Sequence, residues 1–229
     1  MMTPMEQQTL AETGAGPDPT DLERLVEAVR RADSSQALLL ATRDLAASNA
    51  PAAAAVLVEV LGFNNPGAAV AAVDGLIRLQ EAAVEALLQL DPQNYGARAW
   101  AVRALAGIGD VRGLELLVEA LGGDVAASVR RAAAKGLGSL RLDHLQAEDQ
   151  QRIRQRCLQA LLSASDDGEW VVRYAVAVAL ETLADRLESR GQQLQELVAG
   201  LRRLGADEVG NPPVVQLRAR LALARIQQP

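Results

Sequence analysis

The stretch EWVVRYAVAVALETLAD, residues 169–185, sets Arg173, Val176, Leu180 and Leu183 at intervals of three and four. Residues so spaced share one face of an α-helix, so this stretch reads as a helix with one buried stripe. The same frame recurs along the chain as Leu38, Ala41, Leu45, Ser48, then Ala69, Ala72, Leu76, Leu79, then Arg98, Ala101, Leu105, Ile108. It continues as Arg130, Ala133, Leu137, Leu140, then the opening stretch, then Gln216, Ala219, Leu223, Ile226. With these slots numbered 0, +3, +7 and +10, every +7 residue is Leu and five of six +3 residues are Ala, at offsets of 31, 29, 32, 43 and 43 residues.

Between the six stripes lie six further amphipathic segments, near 21–32, 52–61, 81–90, 111–121, 150–164 and 192–204. Each pair of helices is too small to bury its own apolar face, and stacked pairs share a core. The expected fold is therefore all-α, an α-α superhelix of the HEAT-like solenoid kind with about six two-helix repeats over residues 20–229. Residues 1–19, rich in Gly, Pro, Thr and acids, are expected to be a disordered arm. The two 43-residue repeats have room for longer connections near 141–150, 185–192 and 205–213, and long loops on one face of a solenoid are common sites of function.

Composition narrows the function. The 229 residues are 49% hydrophobic but hold only two Trp, two Tyr and one Phe, so the core is Ala, Leu and Val. A net charge of −6 without a Lys/Arg block argues against a nucleic-acid partner. One Cys and one His rule out a disulfide framework and the usual zinc spacings, so no metal is expected. No charge-free apolar run is long enough for a membrane span, and the N-terminus lacks a basic, apolar leader, which points to a soluble cytoplasmic protein. Nucleophile-elbow, phosphate-loop, dinucleotide and metalloprotease motifs are all missing. His144 lies in a polar loop and Cys157 on an apolar helix face, where a solvated imidazole and a buried, inert thiol are expected.

Polar residues then stand out by position. Arg98, Arg130 and Arg173 occupy slot 0. Asp124 precedes Arg130 by six residues and Asp167 precedes Arg173 by six, so an acid in each turn is expected to cap the second helix and pair with its Arg. Arg103, Arg131 and Lys135 lie off the stripe and are better placed for an anionic ligand. Tyr95, Trp100, Trp170 and Tyr174 sit near the starts of two Ala-rich helices, where they either plug gaps between repeats or line a groove for a flat ligand. The last helix, PVVQLRARLALARIQQP, carries Leu217 and Leu221 with no polar covering, which suggests docking to a second subunit.

Three blocks in order, NYGARAWAVRALAGIGDVRGLELLVEAL (94–121), DVAASVRRAAAKGLGSL (124–140) and DGEWVVRYAVAVALETLA (167–184), resemble the E/F-type bilin lyases, most of all the smaller F-type subunit. The resemblance implies a carbon–sulfur lyase that works as a heterodimer with an E-type subunit in the cyanobacterial cytoplasm. It would join an open-chain tetrapyrrole, as substrate rather than cofactor, to a phycobiliprotein cysteine through a thioether. Members that also isomerise the bilin carry an adjacent His-Cys pair, which this sequence lacks, so attachment alone is expected. With that ligand, Arg103 and Arg131 become candidates for the propionates, and Asp166, Asp167 and Glu169 for the pyrrole nitrogens or for proton donation. Tyr95, Trp100, Trp170 and Tyr174 become candidates for stacking. A non-catalytic bilin chaperone or scaffold for phycobiliproteins fits the same residues.

Overall fold

The computed structural model describes residues 18–187, 191–207 and 210–226. Among these residues twelve α-helices run α1 (Pro19–Arg30), α2 (Ser35–Ala47), α3 (Ala54–Val60), α4 (Pro66–Leu79), α5 (Glu81–Leu88), α6 (Tyr95–Ile108), α7 (Leu114–Gly123), α8 (Ala127–Ser139), α9 (Ala147–Ser163), α10 (Trp170–Ala184), α11 (Gln192–Gly205) and α12 (Pro213–Ile226). No strand occurs among the described residues. These are the six helix pairs that the periodicity predicts, and the fold is an α-α superhelix of HEAT-like repeats. Most of the expected N-terminal arm, residues 1–17, lies outside the described residues. Its end differs from the expectation: Asp18 accepts the Thr20 N–H at 3.0 Å and Pro19 opens α1, a capping acid followed by the one residue that loses nothing at a first helical position.

The chain divides into two compact units, Met1–Arg98 and Ala99–Pro229. In the first, α2 packs on α4, and α1, α3 and α5 form the second layer. Asn65 joins its two repeats: its carbonyl oxygen accepts the Ala68 N–H at 3.0 Å to cap α4, and its amide donates to the Ser35 carbonyl at 2.9 Å. A single residue links α4 to α5, Gln80, whose φ of 54° turns the chain and whose side chain donates back to the Ile77 carbonyl at 2.7 Å.

In the second unit, α8 packs on α10 and α10 on α12, while α7, α9 and α11 cover them from the other layer. Ala101, Leu105, Ala133, Leu137, Val176, Leu180 and Ala219 of the column are all buried. Two glycines of α8 let helix backbones meet closely. A Cβ on Gly136 would stand 2.7 Å from Ala106 Cβ on α6, and one on Gly138 would stand 2.7 Å from Ala179 Cα on α10. Part of the extra length of the two long repeats goes into the connection 140–146 and into α9, at 17 residues the longest helix among the described residues; residues 188–190 and 208–209 of the other two expected connections lie outside the described residues.

Candidate functional site

On a helix whose slots +3 and +7 face the core, slots +1 and +5 face away from it. In the second unit these slots hold Ala99 and Arg103 on α6, Arg131 and Lys135 on α8, Tyr174 and Val178 on α10, and Leu217 and Leu221 on α12. Since α8 is wedged against α6 and α10, and α10 against α12, the slots form one continuous strip. The strip changes character along its length, from basic on α6 and α8 to aromatic and aliphatic on α10 and α12.

Several candidate residues meet here. The Arg103 guanidinium lies over the Trp100 ring, 4.6 Å from its centroid, and both side chains are half-buried. Such stacking orients a cation and leaves its edge N–H groups for an acceptor. Arg131 is exposed, and Tyr174 holds the same slot on the neighbouring helix. Trp170, 46% exposed, lies one turn before Tyr174 on the same face of α10. Tyr95, 74% exposed, opens α6 within the first unit and is not part of this strip.

The three acids of the 166–169 turn go three ways. Asp167 belongs to a buried polar ladder behind the strip. Its Oδ2 accepts Arg130 Nε at 2.7 Å, and its Oδ1 accepts Arg130 Nη2 at 2.9 Å and the Glu169 N–H at 2.8 Å. Arg130 Nη1 donates to the Asp124 carbonyl at 2.7 Å, and Arg173 Nη1 to the Asp167 carbonyl at 2.5 Å. Arg173 Nε then reaches forward to Asn211 Oδ1 at 2.6 Å, and Gln216 donates to the Asn211 carbonyl at 2.9 Å. The expected pairing of each Arg with the acid of its own turn is therefore corrected. Arg130 and Arg173 each bind a backbone carbonyl of their own turn, and the side chain each meets belongs to the next repeat. Arg98, the first member of the column, is half-buried on α6.

The Arg130 fork holds the Asp167 carboxyl below the usual carboxylate range against the opposing effect of burial. A carboxylate so held stays ionised at neutral pH and is poorly suited to donate a proton. Asp166 is exposed, pairs with Arg203 of α11 at 2.5 Å, and borders an open cavity of about 400 Å3 between α7 and α9. It thus faces the first-helix layer, away from the strip. Glu169 is exposed at the N-cap position of α10, beside Trp170. Of the three it is the acid closest in sequence to the strip aromatics.

Cys157 is 1% exposed, and desolvation pushes its thiol up to about 12, so it is no nucleophile. His144 is exposed. Two polar features are invisible to the repeat frame. Asn211 takes the ladder place that Asp167 fills one repeat earlier. Glu181 of α10 holds both Arg218 and Arg225 of α12. Burial works to raise the Glu181 pKa, and hydrogen bonds from Arg225 and Arg218 overcome it and set it below the usual value. Among the described residues no cluster of His, Cys, Asp and Glu could hold a metal ion.

The two-layer helix pairs and the ladder that joins them define a HEAT-like repeat protein, and the HEAT-repeat family pattern matches residues 84–161. A designed armadillo repeat protein shares the fold alone, at 19% identity and a TM-score of 0.53 over 90% of this chain and all of the other. Closer similarity is to the phycocyanin alpha phycocyanobilin lyase CpcF of Synechocystis sp. PCC 6803, 51% identical over 179 residues, 78% of this chain and 84% of that protein. A phycobilisome maturation protein of Synechococcus elongatus PCC 7942 is 48% identical over 206 residues, 88% of this chain and 96% of that protein. Among solved structures, the complex of CpcE and CpcF of phycocyanin lyase from Nostoc sp. PCC7120 has a chain 42% identical with a TM-score of 0.65, covering 75% of this chain and 98% of that one. The chain belongs to the phycocyanobilin lyase family, with the CpcF-type subunits.

Proposed function

We propose that the chain is the F-type subunit of a heterodimeric bilin lyase and joins an open-chain tetrapyrrole to a phycobiliprotein cysteine. The observation that carries this reading is the 51% identity with a CpcF lyase subunit over 78% of this chain. The strip geometry supports it. Arg103, Arg131 and Lys135 offer cations for two propionates, and Arg binds a carboxylate through two parallel N–H groups. Trp100, Trp170 and Tyr174 offer flat apolar faces, and Glu169 an exposed carboxylate for pyrrole N–H groups.

The reaction needs little else. The acceptor thiol adds across the ethylidene double bond: a C–S bond forms, the π bond is consumed, and the thiol proton ends on the neighbouring carbon. No electrons are gained or lost overall. A thiol with a pKa of about 8.5 already supplies some thiolate near neutrality. Holding bilin and thiol in reacting geometry is worth roughly 7–11 kcal/mol, and that is work an ordered, rigid strip can do. The partner is an E-type subunit. Phycobiliprotein assembly places the reaction in the cyanobacterial cytoplasm, and no described helix is long and apolar enough to cross a membrane.

The test is co-expression with an E-type subunit, a bilin source and an apo-phycobiliprotein, read by zinc fluorescence on a denaturing gel. Bilin that stays on the acceptor only when both subunits are present is the expected result. Bilin that is bound but lost on denaturation would make the protein a chaperone instead.

A further inference from the structure

The aliphatic end of the strip has a chemistry of its own. On α12, Val214, Leu217 and Leu221 are 44%, 64% and 44% exposed, while Val215, Ala219 and Ala222 are buried. The slots held by Leu217 and Leu221 hold Arg131 and Lys135 on α8, so leucine is not what the repeat requires there. The helix PVVQLRARLALARI carries three Arg and no acid. Arg218 and Arg225 share the single carboxylate of Glu181, leaving one positive charge in excess. Of the two, Arg225 is the accessible cation, with its side chain 59% exposed.

We propose that this face of α12 is where the E-type subunit docks, through a helix with an aliphatic stripe over Leu217 and Leu221 and a carboxylate set against the Arg218–Arg225 edge. The inference rests on the heterodimer reading above and names its surface. Exposed leucines beside an incompletely neutralised Arg pair call for an occupant that is apolar at its centre and acidic at its rim. A permanent subunit suits this better than the acceptor protein. An acceptor leaves after each transfer and would return the leucines to water, whereas lasting interfaces are the more apolar ones.

The experiment uses the full-length chain with the E-type subunit of the same organism, with size-exclusion chromatography and calorimetric titration as readouts. Wild type should co-elute with the E-type subunit. The double variant Leu217→Glu/Leu221→Glu should bind at least about 30-fold more weakly, with circular dichroism and melting as in wild type. Val70→Glu, at an equally outward slot of α4 and 48% exposed, should bind like wild type. Unchanged affinity in the double variant overturns the proposal. So does a double variant that keeps the E-type subunit but no longer pulls down apo-phycobiliprotein, or a wild-type homodimer that the double variant dissolves. If wild type itself forms no complex with the E-type subunit, the heterodimer reading fails and this surface assignment with it.

Discussion

Arg130 of one repeat grips Asp167 of the next through two parallel hydrogen bonds of 2.7 and 2.9 Å, with the two side chains 15% and 9% exposed. The pair links α8 to the turn before α10 and sets the angle between the second helices that carry the strip. Asp167→Asn keeps the shape but removes the charge from a largely buried cation, a change that costs about 3 kcal/mol. The loss should depend on pH. The Asp167 pKa is lowered in the folded protein, so the pair stabilises the fold above the unfolded-chain value of about 3.9 and loses this effect as pH falls through the folded-state value. Denaturant titrations should show a constant gap between wild type and Asp167→Asn from neutrality to about pH 5, closing below about pH 4. A gap that widens in acid would contradict the assignment.

Gly136 and Gly138 let α8 approach α6 and α10 to distances that no side chain tolerates. For Gly138 the blocking atoms are backbone, Ala179 Cα at 2.7 Å and its carbonyl oxygen at 2.8 Å, so they cannot rotate away. Gly138→Ala should lower stability by about 1–3 kcal/mol despite the better helix propensity of Ala. Gly122, near the end of α7, meets nothing within 4 Å. Gly122→Ala should therefore raise stability by up to about 1 kcal/mol. Thermal melts of the two variants in parallel check both signs.

The burial column was legible because every repeat must bury the same helical face, so Leu105, Leu137 and Leu180 recur at one slot. The ladder was only half legible. Arg130 and Arg173 show themselves by position, but their side-chain partners lie 37 and 38 residues on. That choice depends on how far one repeat rotates against the next, which periodicity does not encode. Asn211 escaped notice because it is not an acid, although it takes the same place as Asp167. The strip could be listed from slots +1 and +5, whereas the separation of Asp166 from it needed the turn geometry.

Cys157 is the only thiol of the chain, and its burial and raised pKa of about 12 predict that it takes no part in bond formation. Ellman's reagent should fail to titrate it in the native protein and should find one thiol after unfolding. Cys157→Ala should transfer bilin at the wild-type rate. Loss of transfer in a folded Cys157→Ala protein would mean that the bilin passes through a thioether on the lyase before it reaches the acceptor.

Arg103 tests the strip as a ligand surface. Its stacking on Trp100 at 4.6 Å is worth only about 0.5–1 kcal/mol at a partly exposed site, so Arg103→Ala should melt close to wild type. Losing a charge-assisted contact to a bilin propionate is larger, about 1.5–3 kcal/mol, which corresponds to a roughly 10- to 150-fold loss in transfer at limiting bilin. Arg103→Lys keeps the charge but not the fork and should recover only part of the rate. Trp170→Ala should likewise impair transfer more than stability, because its indole is already 46% exposed. Arg173→Ala is the counter-case: it breaks the bonds to Asn211 and to the Asp167 carbonyl and should lower the melting temperature first. If Arg103→Ala transfers at the normal rate while Arg131→Ala does not, the propionates sit on α8 alone.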